Sequence, residues 1–381
     1  MKKVGMLDLK GEFAALQDAV RVAIERVLGH QWFIGGPEVE ELEERLAAQC
    51  SRQFAVAVSS GTDALLGAMM SLGVGPGDEV ITTPFTFFAT AGCIHRTGAR
   101  PVFVDIEPDT FNIDPSKIEA AITGKTKLVL PVHLFGQSAE MDEIAELAAG
   151  NGNLPVLADA AQAVGATYRG RSACSLGFAS TLSFYPTKNL GGFGEGGMIL
   201  TDDEAFARKC RVIRNHGQTG RYEHEFVGGN FRLDTLKAAI LLAKLEFLPR
   251  FQEARRRNAA RYDELLAAAP VQTPVVRPHN VSAFHQYSIL CDDRDALMAH
   301  LKQRGVGSGI YYPLPLHRQE CFSYLGCQPG SFPVSEQTAS RILALPIHPM
   351  LTDEDLQQVA DSVLEFYAGT TASPVRKASP V

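Results

Sequence analysis

Apolar residues recur at helical spacing from Phe13 to Leu28, and again from Val39 to Cys50 after the breaker Gly35-Gly36-Pro37. Phe54-Ala-Val-Ala-Val58 then reads as a short buried strand, and Ser59-Ser-Gly-Thr-Asp-Ala-Leu65 opens a helix continuing to Leu72. The same alternation repeats downstream. Strands are expected at Glu79–Thr82, Pro101–Asp105, Lys127–His133, Leu154–Asp159 and Met198–Thr201, with helices after Pro84-Phe-Thr-Phe-Phe-Ala-Thr90, at residues 139 to 150 and at residues 203 to 214. Strands alternating with helices predict an α/β architecture with a mostly parallel central sheet. A long helix is expected to start at Arg232, to run through Leu245 and beyond Pro249 to Leu266, and to join two domains. From about residue 270 the pattern becomes strand (His285 to Cys291), helix (Asp295 to Arg304) and strand (Gly309 to Tyr312), a smaller α+β unit. The division is therefore residues 1–248, 249–368, and a tail, 369–381, whose Ser, Pro and Thr content predicts disorder.

Length agrees with that division, because 381 residues exceed what one hydrophobic core usually organises. A net charge of −7 argues against nucleic acid as the main partner. Lys2-Lys3 is followed by no apolar leader core and no run reaches membrane-spanning length, so no membrane role is expected. Seven scattered cysteines without a Cys-x-x-Cys pair fit reduced thiols in a cytoplasmic protein. The ten histidines show no metal-ligand spacing, so no metal is expected, and His216 with His224 reads as a chance pair. Arg255-Arg256-Arg257 reads as a solvated helix face.

Candidate chemistry centres on Lys188, which lies between the apolar Ser183-Phe184-Tyr185-Pro186 and a loop of five glycines. A P-loop needs its lysine after the glycines, and here it comes first. Gly192, Gly194 and Gly197 match Gly-x-Gly-x-x-Gly, yet the strand-like Met198-Ile-Leu-Thr201 follows where a dinucleotide fold needs a helix. A Schiff-base lysine remains, against an ordinary loop lysine. Gly61 and Thr62 stand where a strand turns into a helix N-terminus, which can bind phosphate or simply be capped by Ser60 or Thr62. Phe87 or Phe88, at a strand's carboxyl end, could stack on a flat ring or pack in the core. Asp159 ends a buried strand and needs a cationic partner, for which a protonated ring nitrogen would serve.

Four strings make the pattern specific: Ser59-Ser-Gly-Thr-Asp-Ala-Leu65, Asp159-Ala-Ala-Gln-Ala-Val-Gly165, Ser183-Phe-Tyr-Pro-Thr-Lys188 and Gly228-Gly-Asn-Phe-Arg-Leu-Asp234. In this order they resemble the sugar aminotransferases of the DegT/DnrJ/EryC1/StrS family, from about residue 5 to 365. The resemblance implies a fold-type I, aspartate aminotransferase-like pyridoxal 5'-phosphate (PLP) enzyme. By it, Lys188 bonds the cofactor and shuttles the substrate proton, Asp159 holds the pyridine nitrogen protonated, Gln162 lies beside the phenolic oxygen and Phe87 stacks on the ring. Gly61, Thr62 and Ser183 match the phosphate cradle, and Asn230 matches a residue given to the phosphate of the neighbouring subunit, which makes a homodimer with shared active sites. Arg232 matches a residue near the sugar, or else pairs with Asp234. Tyr185 stands where the family often has histidine. Tyr312 and His317 lie where the small domain could approach the substrate. Lysine at position 188, where dehydratases of the family carry histidine, favours transamination. The implied substrates are L-glutamate and a keto sugar nucleotide, closest to the UDP 3-oxo sugar and 3-oxo-uronic acid branch. A 4-oxo sugar aminotransferase and a cofactor-binding regulator are the alternatives.

Overall fold

The computed structural model describes residues 2–370. The alternation of apolar runs builds one seven-stranded sheet. Its strands are β1 (Phe54–Val58), β2 (Glu79–Thr82), β3 (Arg100–Phe103), β4 (Thr126–Val129), β5 (Leu157–Asp159), β6 (Ala179–Ser183) and β7 (Gly197–Thr201). The order β3-β2-β4 is joined to β5-β6-β7-β1 through parallel bridges from Val129 to Val156 and from Val132 to Asp159. Only β7 runs against both of its neighbours. These strands are short and mostly buried because both faces are covered. Alternate residues divide between the faces: Val56, Val58 and Ile199 pack in one core cluster, and Ala55, Ala57, Leu182, Met198 and Leu200 in another.

Around the sheet lie α1 (Leu9–His30), α2 (Pro37–Gln49), α3 (Gly61–Ser71), α4 (Phe88–Arg96), α5 (Met141–Gly150), α6 (Glu204–Arg214) and α7 (Thr235–Leu245). The helix expected from Arg232 to Leu266 is two helices, with a turn at Glu246-Phe247 before α8 (Leu248–Leu265). Pro249, in the first turn of α8, has no amide hydrogen to continue the α7 ladder but suits a new start.

The C-terminal layer contains β8 (Tyr287–Leu290), α9 (Arg294–Gln303), α10 (Pro333–Arg341), β9 (Ile342–Leu345) and α11 (Asp353–Thr370). The strand expected at Gly309–Tyr312 is absent. Gly309 makes a single bridge to Ala344, Pro313 and Pro315 follow, and the antiparallel partner of β8 is β9. Val4 bridges Val306 and joins the core of this layer with Ala259, Leu297 and Val359. The expected disordered tail is helical at Gly369 and Thr370, and the rest of it lies outside the described residues.

One surface expectation is overturned. Arg255 is buried rather than solvated, and donates to the carbonyls of Ile347 (2.6 Å) and Phe284 (3.4 Å). It lies on the inward stripe of α8 with Phe251, Gln252, Asn258, Ala259 and Tyr262. Among the described residues there is no group of three His, Cys, Asp or Glu able to hold a metal, and no helix long and apolar enough to cross a membrane. His224 Nδ1 lies 3.0 Å from the carbonyl of His216.

Candidate active site

The candidate side chains lie at or just after the carboxyl ends of β1, β2, β5 and β6. Ser60 caps α3 by accepting from the amide of Asp63 (3.0 Å). The amides of Gly61 and Thr62 have no hydrogen-bond partner among the described residues, as expected for a first helical turn. Gly61 lies directly on Ser183, the last residue of β6: a Cβ at position 61 would sit 2.6 Å from that of Ser183. The sequence therefore keeps open a concave corner lined by free amides and a hydroxyl, which is the chemistry a phosphate needs.

Asp159, at the end of β5, is 6% exposed. Its carboxylate accepts from Thr90 Oγ1 (2.9 Å) and the amide of Ala161 (3.2 Å), and no lysine or arginine pairs with it among the described residues. Burial raises its pKa, against the pull of those donors and of the Lys188 charge. A buried carboxylate held by neutral donors is an acceptor prepared for a cation that the chain does not itself supply. Thr90, in the first turn of α4, was not anticipated from sequence.

Gln162 is fixed at both ends. Its Oε1 accepts from the amide of Phe135 (2.6 Å) and its Nε2 donates to the Tyr312 hydroxyl (3.3 Å). The Tyr312 ring lies 6.2 Å from that of Phe85 and 6.3 Å from that of Phe87. Tyr312 is thus brought to the group, and burial raises its pKa. Phe87 is 57% exposed, an uncovered ring at the mouth of the cleft.

The lysine loop folds back on itself. Lys188 donates its amide to the carbonyl of Tyr185 (2.8 Å), and Gly192 donates to that of Phe184 (2.8 Å). Only glycine fits at position 191, where a Cβ would fall 2.3 Å from the Pro186 carbonyl oxygen. Next to Lys188, Asn189 donates to the carbonyl of Ala283 (2.8 Å), and its Oδ1 lies 3.3 Å from His285 Nδ1. Lys188 has no ion pair or side-chain hydrogen bond among the described residues. Burial lowers its pKa from 10.5 to about 8, and the Asp159 charge opposes this only in part. His285 is pushed well below 6.5, first by burial and then by the charges of Lys188 and Arg255. It is neutral and adds no positive charge beside the amine. His133, buried behind Asp159, falls to about 4 through burial.

Of the remaining candidates, Tyr185 lies in the lysine loop and Arg232 bridges Val58 at the end of β1. Asn230 and Tyr185 are exposed, and Asn230 belongs to the segment that carries the hairpin Gln218–Gly220 with Glu223–His224. Arg232 donates to Asn215 Oδ1, while its buried Nε has no partner. The alternative pairing of Arg232 with Asp234 is not made: Asp234 caps α7 through the amide of Lys237 and pairs with the Lys237 ammonium (both 2.9 Å). His317 does not face the cleft. It is 3% exposed, with Nε2 on Glu336 (3.0 Å) and its ring 4.7 Å from that of Phe332.

Residues 15–364 match the DegT/DnrJ/EryC1/StrS aminotransferase family. The chain belongs to that family. The "Pleiotropic regulatory protein" of Geobacillus stearothermophilus is 49% identical over 96% of this chain and 98% of its own length. The UDP-2-acetamido-2-deoxy-3-oxo-D-glucuronate aminotransferase of Pseudomonas aeruginosa is 44% identical over 91% and 96%. The crystal structure of S. venezuelae DesV in complex with a ketimine intermediate superimposes with a TM-score of 0.94, at 40% identity, over 96% of this chain and 99% of that one. The fold is therefore that of the fold-type I PLP aminotransferases, and the protein is a PLP-dependent member of this sugar aminotransferase family. The cleft fits the cofactor on its own terms, having an open anion corner at Gly61, an unpaired buried carboxylate at Asp159, an exposed ring at Phe87 and an amine near neutrality at Lys188.

Proposed function

We propose that the protein transfers the amino group of L-glutamate to the keto carbon of a sugar nucleotide, a UDP-linked 3-oxo sugar or 3-oxo-uronic acid. The product serves surface polysaccharide or glycoside biosynthesis in the cytoplasm. The observation that carries this reading is the pairing of a half-buried lysine held near pKa 8 with a buried carboxylate that has no cation of its own.

PLP, when bound, supplies an electron sink for the carbanion that forms when the donor loses its α-proton. Gly61, Thr62 and Ser183 would hold its phosphate, Asp159 its ring nitrogen, Gln162 its phenolic oxygen and Phe87 its ring face. Lys188 Nζ takes the α-proton of the donor as a general base and returns it on the product side. A pKa near 8 suits both directions close to neutral pH. Thr90 and the Ala161 amide keep Asp159 aimed and ionised. Tyr312, in ring contact with Phe85 and Phe87, forms an apolar wall with them beside the reacting centre.

Asn230 completes the phosphate site of a second copy, so that a homodimer shares its active sites. Exposure of Asn230, with Tyr222 and Val227 more than four-fifths exposed on the same segment, supports that arrangement. Arg232, with an unsatisfied Nε, suits a sugar carboxylate. The 3-oxo assignment is further supported by the likeness to the P. aeruginosa enzyme. A cofactor-binding regulator is the second reading, raised by the similarity to the G. stearothermophilus protein. It keeps the cofactor chemistry but predicts no turnover with any keto sugar.

The test is an assay of the holoenzyme with L-glutamate and a panel of UDP- and dTDP-linked 3-oxo and 4-oxo sugars, with products read by mass spectrometry. Amination of the UDP 3-oxo members is expected. Preference for 4-oxo members contradicts the substrate assignment, and absence of any amination favours the regulator.

A further inference from the structure

A cavity of about 260 Å³ lies between α1, the end of α7 and the lysine loop, with neither Lys188 nor Asp159 in its lining. Leu9, Glu12, Phe13 and Leu16 recur at helical spacing, so one face of α1 forms a wall. Pro186, Gly192 and Phe193 come from the lysine loop, and the Phe193 ring lies 5.7 Å from that of Phe13. Into this largely apolar lining the chain places two opposite charges. Glu12 and Lys244 are 8% and 7% exposed, yet they make no ion pair with each other, and neither side chain has a hydrogen bond among the described residues. The ammonium of Lys244 has the Phe193 ring at 5.6 Å but no acceptor. Arg255 adds positive charge near Glu12, but its own hydrogen bonds go to the carbonyls of Ile347 and Phe284. Burial raises the pKa of Glu12 against the charges of Arg255 and Lys244, and lowers that of Lys244 against the charge of Glu12.

A buried charge without a hydrogen-bonded partner is costly, and here two of them line one cavity. A simple anion would be repelled by Glu12, and a simple amine by Lys244. A molecule that carries both charges on a short apolar body satisfies each. We propose that the cavity binds a small aliphatic α-amino acid as its zwitterion, with the carboxylate on Lys244, the ammonium on Glu12 and the side chain against Phe13 and Phe193. The site is separate from the catalytic cleft, and the inference does not depend on the sugar-nucleotide reading. Because Pro186 and Gly192 line the cavity, an occupant there touches the loop that presents Lys188.

The test titrates L-valine calorimetrically into PLP-loaded wild type, Glu12→Gln, Lys244→Met and Leu9→Trp, each checked for fold by circular dichroism, with the visible spectrum followed alongside. The first two variants remove a buried unpaired charge, and Leu9 is 42% exposed at the start of α1, so all three are expected to fold. Wild type should bind valine without a change in the cofactor band. The dissociation constant should rise about tenfold or more when either charge is removed. It should rise severalfold in Leu9→Trp, whose larger ring takes up part of the cavity and leaves both charges in place. Isobutylamine, which lacks the carboxylate, and isovalerate, which lacks the ammonium, should each bind wild type about tenfold more weakly than valine. If valine does not bind wild type, or binds it and both charge variants equally, the cavity holds only water and the site is overturned. Binding that shifts the cofactor band in step with the heat places valine in the catalytic cleft and overturns the site equally.

Discussion

On the strand-end wall of the cleft, Asp159, Gln162 and Ser183 are buried and fixed by contacts within the chain. Asn230 and Tyr185, by contrast, stand in solvent, and Arg232 keeps a buried nitrogen without a partner. The first wall carries its own hydrogen bonds and needs only the cofactor. The second set is less satisfied within the chain, as the proposed second copy and sugar would require. On the proposed function, cofactor chemistry resides in strand ends and substrate recognition in more open segments.

Removing the charge at Asp159 should separate these walls most sharply. Asp159→Asn is expected to lower turnover by about 10²-fold, since a preorganised charge facing the ring nitrogen is lost. Burial raises its pKa, so the ionised carboxylate opposes folding, a cost that grows as pH rises from the unfolded value through the folded one. The variant's cofactor-free form should then melt higher than wild type in a thermal scan while the enzyme is slower. A lower melting temperature with unchanged turnover would show that Asp159 is structural.

Gly61→Ala places a methyl group against Ser183 and should cost about 1–3 kcal/mol, read as weaker PLP binding in a fluorescence titration. Next in size is Asn230→Ala, expected to weaken PLP binding about tenfold through loss of one hydrogen bond to a charged group. Mixing Asn230→Ala with Lys188→Ala subunits should regenerate one intact site per mixed dimer. Activity that merely averages the two parents contradicts a shared site.

The smallest effect is a pH profile. Only the unprotonated amine attacks a carbonyl, and burial sets the pKa of Lys188 at about 8. The rate of PLP capture by the apoenzyme should thus rise through pH 8 and level off above it. A midpoint near the ordinary lysine value would show that the amine is solvated.

Much of the rigid wall was legible in the chain because its signals are local. Asp159 ends an apolar run, Lys188 precedes a glycine loop and Gly61 follows a strand into a helix. Thr90, Asn189 and His285 were missed because their roles are made by partners far along the chain, at Asp159, Ala283 and Lys188. Arg255 was misread through its neighbours Arg256 and Arg257, although its spacing from Phe251, Asn258 and Tyr262 marks the buried stripe. His317 was placed by proximity in sequence to Tyr312. The chain turns between them, and its side chain goes to Glu336 and Phe332 instead.

The account rests above all on Lys188 as the group that bonds the cofactor and moves the proton. The measurement that tests it most directly is the visible spectrum of PLP-loaded wild type and Lys188→Ala before and after L-glutamate. Wild type should show the band of the lysine-bound cofactor and lose it on addition of glutamate, whereas Lys188→Ala should lack that band and turn over slower by about 10³-fold or more. A wild-type band that glutamate leaves unchanged, or a Lys188→Ala variant that still transaminates, contradicts the account.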